Sequence, residues 1–417
     1  MNSENSPVLK SFILLWIAGY VFFYIFPFPS RYIYIGYNIF AAPYIGIIES
    51  LNFFVGKNLL GHENLVYEEG GRGSGDTTFD YVFVITRLLL ALVLALVLIP
   101  LRNRFKWIKF SYPGMIVYAR YFVGITLIQY GVVKFMIGQF PGPSISSMEQ
   151  TFGEFSPMGL AWRFFGYSDL YKIFMGVSEI SAGLLLLFRR TVVVGAMLSI
   201  AVVTNIVLVN FSFDVPVKLF SSHLLFFSIL IFLPYAKGLF DILILRKPLI
   251  LELNPLTFSS KKIKWTYRSV KFFMVVFIPV SLLVGHIFSQ SYRKSDNPWE
   301  GSYEVVKFEK NKEDFPSDAE WVKLVMDGKS MVVERASGRK TYFTVDNIEE
   351  EGIINLVSSS DLEGNSTLQI VDDGATYSLI ANIGENQFDI TAKRKKKSEY
   401  FLLSRGFNWI NEYPLNR

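Results

Sequence analysis

With 417 residues, a mean hydropathy of +0.33, 51% hydrophobic and 16% aromatic residues, the chain carries more apolar surface than a soluble fold of this length buries, and a lipid bilayer is the solvent that suits it. Cysteine is absent, which excludes a disulfide, a thiolate nucleophile, a Cys zinc site and an iron–sulfur cluster within this chain. The formal net charge of +5 is unevenly held: residues 297–417 carry 15 Lys+Arg against 21 Asp+Glu, leaving 26 of the 41 cations and 15 of the 36 acids elsewhere. Cations beside apolar spans mark orientation in a membrane and exclude a nucleic-acid surface.

Seven apolar stretches are predicted as membrane spans: Ser11 to Phe26, Tyr81 to Ile99, Met115 to Ile137, Leu170 to Phe188, Val192 to Phe211, Leu219 to Leu233 and Val270 to Phe288. Most approach the ~20 residues that cross ~30 Å of hydrocarbon. The sixth borrows flanking residues, and Pro279 kinks the seventh without breaking it. Lys10 ahead of the first span marks a signal anchor, since no small-x-small cleavage site follows Phe28 at the right distance. Between the first and second spans, Ile33 to Val55 is apolar but carries Asn38, Pro43, Glu49 and Asn52, and is predicted as an interfacial helix on the outer face. Behind it, GGRGSGD lacks the strand and the GK[ST] ending of a phosphate-binding loop, and reads as a flexible surface linker.

Basic side chains follow every second span. Arg102, Arg104, Lys106 and Lys109 come after the second, Arg189 and Arg190 after the fourth, and a series from Lys237 to Arg268 after the sixth. By the positive-inside rule these loops are cytoplasmic, the N terminus is inside and the C terminus outside.

After Ser291 the apolar residues alternate with period two. Short strands are predicted at Ser302 to Glu309, Trp321 to Met326, Met331 to Arg335, Thr341 to Val345, Ile353 to Val357, Thr367 to Val371, Tyr377 to Ala381, Gln387 to Thr391 and Tyr400 to Leu403. Eight or nine strands separated by DGK, SGR, EGN, DDG and GEN turns must close or stack to hide their edges, and an up-and-down barrel is the first choice over a sandwich. The run Lys393 to Lys397 then forms a solvated or lipid-headgroup-facing strand end. The fold class is thus an α-helical transmembrane bundle followed by a small all-β antiparallel domain. Three regions are expected: residues 1–80 (anchor span and interfacial segment), 81–290 (helical membrane domain) and 297–417 (extracytoplasmic β domain).

Polar residues within spans are the candidates for function, because charge at a helix centre costs ~2.5–3.5 kcal/mol on insertion scales and needs a partner or water. Arg120, Gly124, Gly131 and Lys134 share one face of the third span. Glu179, midway along the fourth, is within reach of Arg120, and an Arg120–Glu179 pair is predicted, either structural or catalytic. Arg87, Asn205, His223 and His286 fall at similar depth, ~5–10 Å below the outer end, with Lys134, Asn210, Asp214 and Lys218 just above. They outline a polar cavity open to the outside. The loop from Pro141 to Asp169, with Glu149, Glu154, Trp162 and Arg163, is long enough to form a lid over it. Axial haem ligation by His223 and His286 is a minor alternative to ordinary packing histidines. No metal site is expected, and no HExxH, GxSxG or GxGxxG arrangement stands in a credible context.

The stripe Arg120-Tyr-Phe-Val-Gly124, then Tyr130-Gly131-Val-Val-Lys134, Glu179 and Gly183-Leu-Leu-Leu-Leu187, resembles the DoxX-like family of four-helix membrane proteins over residues 115 to about 235. QFPGPS from Gln139, SPMGLAWRFFGYS from Ser156, LLLLFRRT ending at Thr191 and DVPVKLFSSHLL from Asp214 are similar to the longer DoxX-type proteins of Bacteroidetes-like bacteria. The resemblance implies a bacterial inner-membrane protein, associated with an oxidoreductase complex or quinone-linked chemistry as its membrane subunit. Arg120, Glu179, His223 and Lys134 would handle protons or anionic intermediates, and a quinone would be the bound group. Arg87, Asn205, Asp214, Lys218, His286, Trp162 and Arg163 would line the binding region, with a catalytic redox subunit as partner. Trp299-Glu-Gly301 and Gly406-Phe-Asn-Trp409 resemble lipocalin-type barrels at the level of fold. Set apart from the family, the same features support a non-catalytic protein whose cavity and β domain bind a lipophile or an envelope partner.

Overall fold

The computed structural model describes residues 8–32, 37–67, 74–136, 139–248, 260–291, 297–310, 317–349, 352–358, 366–384 and 386–413. The chain forms two compact units, Met1–Phe140 with Ser168–Gln290, and Pro141–Tyr167 with Ser291–Arg417.

The first unit is helical. Its members are α1 (Val8–Ile25), α2 (Ala42–Asn58, led by a wide π turn at Tyr37–Ala41), α3 (Thr78–Leu98) and α4 (Lys106–Met136). In the second unit α5 (Ile145–Met148) and α6 (Pro157–Tyr167) follow, before the first resumes with α7 (Asp169–Leu187), α8 (Val192–Ser212), α9 (Lys218–Leu243), α10 (Lys261–Phe272) and α11 (Ile278–Ser291). Start signals are local: at α3, Thr77 and Asp80 exchange side-chain and backbone hydrogen bonds in a capping box, and at α7 the Ser168 hydroxyl accepts from the Tyr171 amide. A five-residue π turn at Phe273–Phe277 precedes Pro279 in the last span.

Helices α4, α7, α8 and α9 close a ring, each packing on the next and α9 on α4. Phe122, Ile125, Leu186, Val203, Leu224 and Phe227 fill it. Hydrophobic burial does not drive helices together in lipid, and close packing at small residues together with polar contacts between helices takes its place. Gly124 faces Gly183 and Gly131 faces Gly176: a Cβ on Gly183 would stand 2.4 Å from the Gly124 carbonyl oxygen, and one on Gly131 2.4 Å from that of Gly176. Two glycines seven residues apart on each helix therefore set the antiparallel register of α4 and α7. Outside the ring α1 packs on α3 and α4, with Gly19 against Ala91.

Among the described residues eight helical stretches are long and apolar enough to cross a membrane, against the seven predicted. The addition is Tyr37–Asn58, 22 residues long, the stretch read from sequence as interfacial. Phe23 and Tyr24 near the end of α1 meet Arg87 and Phe83 of α3, while Phe53 and Gly56 near the end of α2 meet Phe79 and Val82 of α3. Two full crossings in succession would end at opposite faces. Here both helices bring their C-terminal ends to the N-terminal half of α3.

The second unit is a closed eight-stranded barrel with neighbours in chain order: β1 (Gly301–Lys310), β2 (Trp321–Asp327), β3 (Ser330–Arg335), β4 (Lys340–Ile348), β5 (Ile353–Ser358), β6 (Ser366–Asp372), β7 (Tyr377–Ile383) and β8 (Asn386–Lys395), which pairs back on β1. Alternate residues point inward, and Tyr303, Trp321, Leu324, Met326, Phe343, Ile354, Leu368 and Phe388 fill the interior. An apolar inside and a charged outside make this a water-facing barrel, the reverse of a membrane barrel. The ninth predicted strand is wrong: four consecutive residues without alternation form a single helical turn, α12 (Phe401–Ser404), and closure of β8 on β1 leaves no edge for it. Gly406 to Trp409, read as a closing barrel motif, lies beyond β8 with Trp409 exposed.

The segment expected as a lid packs on the barrel within this unit. Ile145 of α5 is buried with Val325 and Tyr400, the Ser146 amide donates to Asp327 at 3.1 Å, and Lys340 pairs with Glu154 at 3.5 Å. Glu149 accepts from Lys323 at 2.7 Å and from the Tyr400 hydroxyl. Burial alone would raise the Glu149 carboxyl, but those two donors outweigh it and hold it below the usual carboxylate range. The carboxylate that clips this segment to β2 thus stays ionised at neutral pH.

Candidate functional site

The predicted polar residues divide into separate groups. Glu179 is paired with Lys134, at 2.8 and 2.9 Å from its two carboxylate oxygens, and both are buried. This corrects the Arg120–Glu179 pair: among the described residues no ion pair joins those two. The reason is directional. Side chains on a helix lean toward its N terminus, and the glycine register places Glu179 between Arg120 and Lys134 in height. Lys134 therefore leans toward Glu179 and Glu179 toward Lys134, whereas Arg120 leans away. Arg120 is buried with its guanidinium 5.0 Å from the Tyr121 ring and its Nε without a hydrogen-bond partner.

The second group is built on α1, α3 and α9. His223 Nδ1 lies 2.7 Å from the carbonyl of Leu219, which only accepts, so the proton sits on Nδ1. Nε2 is then an acceptor and takes the Tyr20 hydroxyl at 2.5 Å. Tyr24 stacks on the imidazole at 4.2 Å and 13°. These groups border a groove of about 430 Å³ lined by Trp16, Ile17, Tyr20, Val84, Leu88, Ser222, His223 and Phe226. It is apolar except for the Tyr20–His223 dyad and Ser222. Since Nε2 is engaged by Tyr20, axial haem ligation through it would first break that bond, and the His286 side chain lies outside the described residues.

Arg87 donates to the carbonyls of Phe23 at 3.1 Å and Phe83 at 3.1 Å, and Tyr44 donates to the same Phe23 oxygen at 2.9 Å. It thus ties α1 to α3. Lys218 bonds Asp214 at 2.9 Å and Asp76 at 3.3 Å, while Asp76 accepts the Lys218 and Leu219 amides at 2.9 and 2.8 Å and so caps α9. Asn210 donates to Ser221 at 3.0 Å. Asn205 is exposed on α8, and among the described residues it joins none of these groups. Arg163 belongs to the barrel unit, where it donates to Gly159 and Gln150, each at 2.9 Å, and covers Phe155; Trp162 lies in the same helix α6. Among the described residues no three His, Asp or Glu side chains converge as a metal site.

Sequence reasoning missed Tyr20, Tyr24 and Asp76. The tyrosines stand four apart in an apolar span, a spacing that puts both on one face, but their histidine partner is two hundred residues away. Asp76 was absorbed into the glycine linker, although Thr77-Thr78-Phe79-Asp80 immediately after it is a readable helix start.

No family model and no solved structure matches the chain. Among curated proteins, the uncharacterized protein YwoB of Bacillus subtilis (strain 168) is 40% identical over 106 residues, which cover 25% of this chain and 67% of that protein. Identity at that level across two thirds of the relative means that the chain belongs to the family of YwoB.

Proposed function

We propose that the protein is a DoxX-like membrane subunit of a quinone-linked redox process, with the groove at Tyr20 and His223 as the place where a quinol-type headgroup sits. The direction of the dyad's hydrogen bond supports this. With the proton on Nδ1 and the Tyr20 hydroxyl donating to Nε2, the pair offers only acceptor lone pairs to the groove. The ligand that suits it is therefore a hydroxyl donor with an apolar body, and apolar walls formed by Trp16, Ile17, Leu88 and Phe226 fit an isoprenoid chain. A quinol bound there would supply the electrons and protons of the redox step to a partner subunit. The Tyr20 oxygen would accept a hydrogen bond from its hydroxyl and so orient the headgroup, while Nε2 of His223, with Nδ1 held on the Leu219 carbonyl, keeps the Tyr20 proton turned away from the ligand. Lys134 and Glu179 neutralise one another and position α4 against α7. The non-catalytic alternative, in which the β domain carries a lipophile, has less behind it because side chains fill the barrel interior.

The test is extraction of lipids from the purified protein. Wild type purified under reducing conditions is expected to retain quinone in its quinol form, and Tyr20→Phe or His223→Leu to lower its retention about tenfold, the loss of one buried hydrogen bond, in protein that still shows a cooperative thermal transition. Wild-type protein free of quinone, or equal retention in the variants, would sink the assignment.

In this reading the N terminus lies in the cytoplasm and the barrel outside, in a bacterial inner membrane. The cation distribution supports this threading, and α2 leaves its parity unchanged because it ends beside the end of α1. The α4–α7 connection shares a compartment with the barrel, since both form one compact unit. In this cysteine-free chain, Ser337→Cys is expected to react with an impermeant maleimide on intact spheroplasts, and Arg189→Cys only after lysis. The reverse pattern would invert the topology.

A further inference from the structure

Beyond α12 the chain forms a short loop that bonds to itself. Arg405 donates to Asn411 at 2.5 Å, the Asn411 amide to the Asn408 carbonyl at 3.1 Å, and Gly406 takes the left-handed backbone that the turn requires, at φ +63°. Its polar side chains bond to one another while remaining exposed, and the loop displays Phe407, Trp409, Ile410 and Tyr413 at 77–91% exposure, with Phe407 edge-on to Trp409 at 5.2 Å. No water-soluble surface gains from so many bare aromatic residues. Just upstream, Lys395, Lys396 and Lys397 at the end of β8 are exposed, and Lys395 stands 4.0 Å over the Tyr400 ring that leads into α12.

We propose that the loop from Arg405 to Tyr413 is an interfacial anchor that inserts its aromatic side chains into an anionic lipid surface, with the lysines at 395–397 on the headgroups. Three observations favour a bilayer over a protein. Trp and Tyr prefer the boundary between hydrocarbon and water. Lysine is depleted in protein–protein interfaces, yet attracts anionic headgroups when clustered beside an apolar surface. The barrel unit is joined to the helical unit by chain passing at 140/141, 167/168 and 290/291, so a membrane is always within its reach.

Because the chain lacks cysteine, Trp409→Cys in the full-length protein carries a single environment-sensitive fluorophore. It would be measured at one chain per nanodisc, in phosphatidylcholine alone and with phosphatidylglycerol added, alongside the same label at Ser337→Cys in the β3–β4 turn. Nitroxide-labelled lipids are expected to quench position 409 at least about twofold more than position 337, with blue-shifted emission that strengthens in the anionic discs. Exchanging the three lysines for glutamine should remove the anionic increment while leaving barrel stability intact. Water-like, unquenched emission at 409 in both lipids would overturn the proposal. So would a blue shift that appears only as protein concentration rises in detergent, which would assign the patch to a second copy.

Discussion

Glu179→Leu is expected to destabilise the protein by about 3–5 kcal/mol, because it strands the Lys134 ammonium in a buried site between α4 and α7. The double variant Lys134→Met/Glu179→Leu should recover most of that loss, since a hydrophobic pair of similar volume avoids the desolvation that the ion pair must offset. Thermal unfolding of the detergent-solubilised protein, with expression level as a second readout, measures both. Arg120→Leu serves as the comparison. If Arg120 rather than Lys134 held Glu179, then Arg120→Leu would behave like Glu179→Leu and the double variant would not recover. Should the recovered double variant also retain quinone, the pair positions helices and takes no part in holding the headgroup.

Gly183→Val is expected to be the most damaging single substitution in the bundle. Its first added carbon would stand 2.4 Å from the Gly124 carbonyl oxygen and 2.8 Å from Ile128, and backbone on the facing helix cannot rotate away as a flexible side chain does. Overpacking of a core costs ~1–3 kcal/mol even where side chains can shift; here α4 and α7 must part, carrying Lys134 away from Glu179. Gly114→Val, in the same helix α4 as Gly124 but with open space where its Cβ would stand, should change stability by no more than the ~1 kcal/mol of propensity effects. Melting temperatures of the two variants decide the matter, and equal losses would mean that the glycine register does not hold the helices together.

Much of the molecule was legible one segment at a time. Long apolar runs announce helices because lipid demands internally satisfied backbone, and the alternation after Ser291 announces strands because the side-chain period of a sheet is two. Even the step from strands to a closed barrel follows from the need to hide edges. Tyr37–Asn58 shows where such reasoning strains. Its polar residues suggested an interfacial position, but Asn52 is buried despite lacking a partner for its amide, and only contacts with α3 show where that helix ends.

The candidate site was less legible, since its members meet across long separations in the chain. Composition, periodicity and the placement of cations determined by themselves that this is a multi-span membrane protein with a water-facing β domain, because those properties act locally through burial and solvation. Tertiary structure alone decided that Lys134 and not Arg120 answers Glu179, that Tyr20 answers His223, and that residues 141–167 belong with the barrel. Each of those outcomes depends on the register between elements and on the tilt of side chains toward a helix N terminus, and register is set by backbone contacts such as Gly124 on Gly183 that no single segment contains.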